Sequence, residues 1–463
     1  MVSRRRALRL AAGSLAAVAG CLGDPQGTPT EAPTDRPSTT PTGTPSASPD
    51  DRIPEGDDGP TRTPGDVPEW TPEWSLGFDA GTLVGLDAAD GLLYATLSSD
   101  DGPSAVAAVD PADRSVRWRT ESAGEAVGGS HAGRQGIARG QWGVTTTDDA
   151  VYAVAGPAEE RRWSVLHALD RATGERRWSL RRDRRLAVEG VLDGLVVATG
   201  LEFFPAPGKT PLPHQTPEEP LSTVVYGVDA ADGSVRWTHR TTGVRDVSVS
   251  PDGVYVAAGS VLEGLAPDGA TRFTYGHGPA TRVEATAGRA FYLTGEDETA
   301  TLHGVSPAGG TDWTLDLPVH ELLLDGDRLY AGGDAVVRVA ADGTVVWRDD
   351  DYGQWLLVDP DRDTLYTRSG VRADRASAHA AGGGERWTFD PPSNNAWPEA
   401  ATSDALVVSA ITADDGPFLT VYAVDAEGRA TAALDRETVF DAVGVDGTVY
   451  LADGESTLLA LVP

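Results

Sequence analysis

The feature that most constrains this chain is that it repeats itself. From residue 69 onward one unit recurs: an apolar strand, then Asp or a small residue, a Gly/Asp turn, and a strand bearing an aromatic. The clearest copies run Ala108-Val109-Asp110 to Trp118, Ala168-Leu169-Asp170 to Trp178 and Gly227-Val228-Asp229 to Trp237, each Trp eight residues after its Asp. Leu265 to Phe273, Val305 to Trp313, Val339 to Trp347 and Ala378 to Trp387 lose the Asp and keep the layout. Val424-Asp425 onward is a decayed copy, with Ala433 at the aromatic place. Upstream of each copy stands a second signal, as in Asp90-Gly91 before Leu92-Leu93-Tyr94, Asp252-Gly253 before Val254-Tyr255 and Asp446-Gly447 before Val449-Tyr450. Asp-Gly between β-formers marks a hairpin, because both turn residues tolerate positive φ.

Each period of roughly 34–60 residues therefore holds two hairpins, or four strands, which is the content of one propeller blade. The expectation is an all-β fold over 69–463, a β-propeller of eight or nine four-stranded blades. The last unit ends at Leu458 to Val462 without an outer strand, and the isolated Trp74-Ser75-Leu76 supplies one, closing the ring and leaving no open edge there. Trp74, Trp118, Trp178, Trp237, Phe273, Trp313, Trp347 and Trp387 are expected to wedge neighbouring blades together. Burying each such side chain contributes about 2–3 kcal/mol by area.

This pattern of Asp, turn Gly and Trp resembles the repeat of the quinoprotein (PQQ-like) propeller family, and the resemblance covers residues 70–463. The layout is also similar to that of the lipoprotein propellers that scaffold outer-membrane protein assembly. The quinoprotein resemblance implies a test for a quinone held beside calcium in the central channel by Glu, Asn and Asp, often on a disulfide between adjacent cysteines. Cys21 is the only cysteine, and the only asparagines are Asn394 and Asn395, near Glu399. A polar turn suits that pair better than a calcium shell. No cofactor is expected; PQQ with calcium is the alternative.

The first residues read as an address. Ser3 to Arg9 is basic, Leu10 to Ala19 weakly apolar, and Val18-Ala19-Gly20-Cys21 closes the stretch. The apolar run is too short to span a bilayer. The segment resembles a twin-arginine export signal (1–20) joined to a lipobox, although Ala7 stands where a bulky aromatic is common and Val18 where Leu is usual. Cys21 would then be lipidated and hold the protein to the outer face of the cytoplasmic membrane. Residues 21–68 are rich in Thr, Pro and Ser and read as a disordered tether, too poor in large apolar side chains to offset chain entropy.

Charge narrows the partners. Lys+Arg total 38 against 70 Asp+Glu, a net −32, and Lys209 is the single lysine. Such a chain repels nucleic acid and anionic lipid. Its surface resembles that of proteins from salt-in halophiles, archaea above all, for which molar salt shortens the screening length to about 3 Å.

Motifs for chemistry are sparse. Asp359, Asp361 and Asp363 alternate as in a calcium loop, but Gly370 stands where a bidentate Glu is required, so an acidic hairpin tip is expected. The eight histidines are scattered without metal spacing. Gly208-Lys209-Thr210 lacks the first glycine of a phosphate loop. Two insertions are more informative: one between Thr120 and Val144 with His131 and Trp142, another between Leu201 and Leu221 with Phe203 and His214. Binding groups commonly sit on such loops over a rigid scaffold. The expected activity is binding or scaffolding of a protein or small ligand by a monomer. The alternatives are a quinone- and calcium-dependent oxidoreductase, and carbohydrate hydrolysis by paired carboxylates at the channel mouth.

Overall fold

Alternating apolar residues and tight turns build nothing but strands: among the described residues of this computed structural model there is no helix. The structure describes residues 60–463 apart from 80, 100–103, 123–143, 157–162, 202–221, 277, 296–299, 360, 371, 393–394, 412–418 and 455. The chain is a β-propeller. Nine antiparallel four-stranded blades succeed one another among these residues, over 82–121, 145–182, 185–242, 244–276, 280–317, 319–349, 353–389, 396–436 and finally 439–461 with Trp74–Gly77. The sixth and seventh blades are joined into one sheet by the single strand pair Gly333–Gly353. The upper of the two expected blade numbers is the one found.

Several Asp-Gly pairs turn as their chemistry requires. Asp90 and Gly91 have φ of 48° and 76°, Asp193 and Gly194 42° and 70°, and Asp446 and Gly447 47° and 79°. Both residues on the positive side is the type I′ geometry that suits the right-handed twist of paired strands. The repeat's Asp organises the other hairpin: Asp110 Oδ1 accepts the N–H groups of Ala112 and Asp113 at 2.9 and 3.2 Å, and its Oδ2 accepts from Arg117. Asp170 and Asp229 bind Arg177 and Arg236 in the same way.

Packing runs from blade to blade. Each of nine apolar clusters combines residues of two successive blades. One of them joins the first blade to the last, with Leu83, Leu93 and Val109 against Val443, Tyr450 and Leu458. The first strands of neighbouring blades lie beside one another, so they are innermost. The fourth strands, which carry the aromatics, are outer edges of their blades.

The aromatics dock each blade on the next. Trp118 donates its indole N–H to the Arg171 carbonyl at 2.9 Å, Trp178 to Ala230 at 2.8 Å and Trp237 to Pro267 at 2.8 Å. Trp313 donates to Ala341 at 2.9 Å, Trp347 to Ala381 at 3.1 Å and Trp387 to Ala426 at 2.9 Å. Every acceptor lies in the hairpin turn of the following blade. The turn glycine beneath has no room for a side chain: a Cβ on Gly174 (φ 72°) would lie 2.5 Å from Trp118.

 

At 72° the backbone is left-handed, so Gly174 is required twice over, by its conformation and by the indole above it. Within a blade the indole covers a small residue of the third strand, beyond which an aromatic of the second strand follows. Tyr94, Ala108 and Trp118 form such a row, and the Tyr94 and Trp118 rings lie 6.1 Å apart.

Blade eight departs from the sequence expectation. Its hairpin turn is one residue shorter than that of the first three blades, closing with Asp425 N–H on the Arg429 carbonyl. Ala432, not Ala433, therefore stands opposite the small Ala423 and holds the aromatic place. The missing ring comes from elsewhere. Trp70, 3% exposed, shares one cluster with Ala432 and Leu459. Its N–H bonds the Ala433 carbonyl at 2.6 Å, and its indole donates to the Val462 carbonyl of blade nine at 2.9 Å.

Trp70 belongs to an extended segment along the rim. Thr61–Arg62 pairs in parallel with Glu385–Phe389 of blade seven, and Glu69 bridges Ala433 of blade eight, also in parallel. Trp74–Gly77 then pairs antiparallel with Thr457–Leu461 as the fourth strand of blade nine. The Trp74 ring lies 5.9 Å from Tyr450.

Candidate functional site

The two ends of the blades differ. Connections from first to second strand and from third to fourth are short turns. The segments 123–143 and 202–221 join a fourth strand to a first and a second strand to a third, so both leave from the opposite end. His131, Trp142, Phe203 and His214 lie outside the described residues, as does Cys21.

The described groove at the root of the first insertion lies between blades one and two. It has a cavity volume of only about 20 Å³, room for little more than a water, and is lined by Val106, Ser122, Ala153, His167, Leu169 and Arg176, among others. Its centre is polar and fully bonded: His167 Nε2 is 3.0 Å from Ser122 Oγ, and Nδ1 is 2.8 Å from Ser179 Oγ. Burial, with the Arg176 charge adding to it, pushes the imidazole down to about 4, so it is neutral at neutral pH. Arg176 donates to the Glu121 carbonyl at 2.9 Å. A serine against an imidazole has the outline of a nucleophile and its base. Here the third group is a neutral hydroxyl and the base is too weak to take a proton near pH 7. The groove thus combines an apolar wall, a satisfied imidazole and one guanidinium.

The inner strands, where a channel ligand would sit, use their carboxylates on main chain. Among the described residues the first strands of eight blades carry a register shift, and at three of them a carboxylate of the preceding blade accepts a main-chain N–H. Asp441 accepts from Leu86 at 3.0 Å, Asp246 from Val283 at 3.1 Å and Glu321 from Trp355 at 2.5 Å. The calcium set suggested by the quinoprotein resemblance does not fit. Asn395 Oδ1 accepts from the Arg368 guanidinium and Glu399 from Ser409, so a cation there would meet a fixed positive charge. Asn394 lies outside the described residues. At the acidic hairpin, Asp359 accepts the N–H groups of Asp361 and Arg362 at 3.1 and 3.3 Å, and Asp363 pairs with Arg328. Among the described residues no group of three or more His, Cys, Asp or Glu could hold a metal ion.

Sequence reasoning missed His167. The signal was present: His167 and His303 occupy the same place on the third strand, one residue before the small residue facing the Trp. His303 is likewise held by hydroxyls, Thr294 at 2.9 Å and Tyr275 at 3.3 Å.

No family model and no curated protein matches the chain. Solved structures do. BamB from Moraxella catarrhalis is 14% identical, with a TM-score of 0.44, over 85% of this chain and 97% of that one. A quinohemoprotein alcohol dehydrogenase from Comamonas testosteroni gives 14% identity and a TM-score of 0.44, over 85% of this chain and 76% of its own. The C-terminal WD40 domain of Sif2 gives 9% and 0.48, over 86% and 99%. Likeness at these identities concerns architecture alone.

Proposed function

We propose that this chain is an exported, lipid-anchored surface module whose closed ring of blades presents one end to a protein or small-ligand partner. The observation that carries the reading is the asymmetry of the two ends: short turns at one, the insertions 123–143 and 202–221 at the other. A rigid scaffold with variable connections gathered at one end suits recognition. Cys21, preceded by small residues, supports anchoring through a lipid, and the acidic surface speaks against nucleic acid. The quinone-dependent alternative is disfavoured by Arg368 at Asn395.

Capture from native membranes at high salt tests the binding reading, comparing the full chain with a variant in which 123–143 is replaced by a short Gly/Ser linker. Partners that stay with the shortened variant would overturn the assignment of that end. Replacement of Cys21 by Ser is expected to release the protein into the medium. Dye-linked alcohol or sugar oxidation after addition of PQQ and calcium would restore the enzyme reading.

A further inference from the structure

One tryptophan stands apart from the ladder that docks the blades. Among the described residues Trp355 is the tryptophan whose indole N–H meets no acceptor and whose ring meets neither another ring nor a guanidinium. It is partly exposed and belongs to none of the nine apolar clusters. Its backbone has a φ of 61°, a left-handed conformation that a bulky residue adopts only at a cost. The cause is local. Gly353 pairs both with Ser369 of its own blade and with Gly333 of blade six, and the register then slips between Gln354 and Leu357. Of the two residues left over, Leu356 is buried in the cluster shared by blades six and seven, and Trp355 stays out of it. Bulges beside binding sites re-aim side chains in this way.

Around it lies the junction of blades six and seven. Glu321 of blade six holds the Trp355 main-chain N–H at 2.5 Å. Beside Glu321 stands the exposed His320, whose ring lies 6.4 Å from that of Tyr352. Burial raises the Tyr352 phenol; Arg368 opposes that rise, and the nearby carboxylates of Asp334 and Glu321 add to it. His320 and Trp355 sit in the first halves of innermost strands, and Asp334 and Tyr352 in connections at that same end, the end from which the insertions leave. The junction therefore offers donors in the indole N–H and the phenol O–H, an imidazole, carboxylate acceptors and a flat apolar face.

We propose that this junction binds a neutral saccharide, with one sugar ring laid on the face of Trp355 and its hydroxyls shared among Tyr352, His320 and Asp334. A hydroxyl both donates and accepts, so it serves the donors and the carboxylates together. An organic cation would leave the indole N–H unused, and an anion would meet the carboxylates and the −32 of the chain. The proposal rests on the reading of the insertion end as the binding end and names the ligand class that end takes. A free oligosaccharide and the glycan of a partner protein present this same chemistry.

Calorimetric titration of the full chain with maltohexaose, cellohexaose and mannohexaose should show at least one of them binding at about 1 mM or tighter. Trp355→Ala is expected to abolish that binding, and Trp237→Phe on the rim to leave it unchanged. Trp355→Phe keeps a ring and loses the N–H, so it should weaken binding about threefold to tenfold. Trp355→Gly relieves the left-handed backbone; it should abolish binding yet hold the unfolding temperature within a few degrees. If the source is a partner's glycan, the bound hexasaccharide will release proteins captured from membranes; if it is free sugar, they will stay. The variant with 123–143 replaced tests the end itself: loss of captured partners there, with no sugar bound by the full chain, would leave the end assigned and the saccharide wrong. Binding of none of the three sugars at about 10 mM, or tighter binding of tetramethylammonium, would overturn the proposal. So would a fall in unfolding temperature on Trp355→Gly as large as that of Trp347→Ala, which would make Trp355 a packing residue.

Discussion

At a rim tryptophan the indole is fixed from three sides: a small residue below it in its own blade, a glycine of the next blade, and a carbonyl that takes its N–H. The stability each contributes follows its burial. Trp347 is 1% exposed and stacks on His379 with ring centres 5.8 Å apart, whereas Trp237 is half-buried. Trp347→Ala is expected to cost about 3–5 kcal/mol and Trp237→Ala distinctly less, measured as shifts in denaturant midpoint at constant slope. His167 makes a second residue-scale expectation. Its folded pKa lies below its unfolded one, because burial opposes the charged form. Below about pH 6.5 the unfolded chain takes up a proton that the folded chain refuses, so stability falls from there down to about pH 4. The loss is on the order of 3 kcal/mol. His167→Gln should remove that part of the pH dependence, seen as a smaller difference between unfolding free energies at neutral and mildly acidic pH. An unchanged slope would mean that the imidazole is not held neutral.

At the level of strands, the rim segment does for blade eight what Trp387 does for blade seven. Trp70→Ala is expected to destabilise by about 3–5 kcal/mol, as for a buried core tryptophan. Ala432→Trp should be harmful beside Trp70 and restorative in its absence, so a double-mutant cycle should show strong coupling of the two sites. Additive effects would show that the two residues do not share one space. This element also marks what the sequence could reveal. The Trp ladder was legible because each ring stands at a fixed offset from its own turn, and Trp74 because a strand was missing at the end of the last unit. Trp70 was not, since it serves a place 362 residues away that the decayed copy leaves to alanine. The one-residue error at Ala432 has a similar origin: a turn shortened by one residue shifts every position behind it. His167 escaped notice because its partners Ser122 and Ser179 stand 45 and 12 residues away, the first brought in by blade-to-blade packing and the second by strand pairing within the blade.

Over the whole molecule the excess of carboxylates sets a stability that depends on salt. A net −32 on one chain repels itself over the roughly 10 Å that charges reach at about 0.1 M salt, and hardly at all over the ~3 Å left at about 1 M. The unfolding temperature should therefore rise by several degrees across that interval and level off above it, equally in sodium and potassium chloride. Screening predicts that plateau, whereas specific uptake of one cation predicts a difference between the two salts. Acidification separates the contributions further. Towards the isoelectric point near 4.5 the carboxylates lose charge, which relieves repulsion at low salt, while His167 loses stability at any salt. At low salt the two effects oppose one another and the pH profile should be shallow. At high salt repulsion is already screened, so the His167 loss should stand alone and the profile should steepen. A profile of the same shape at both salt concentrations would mean that self-repulsion contributes little to this fold.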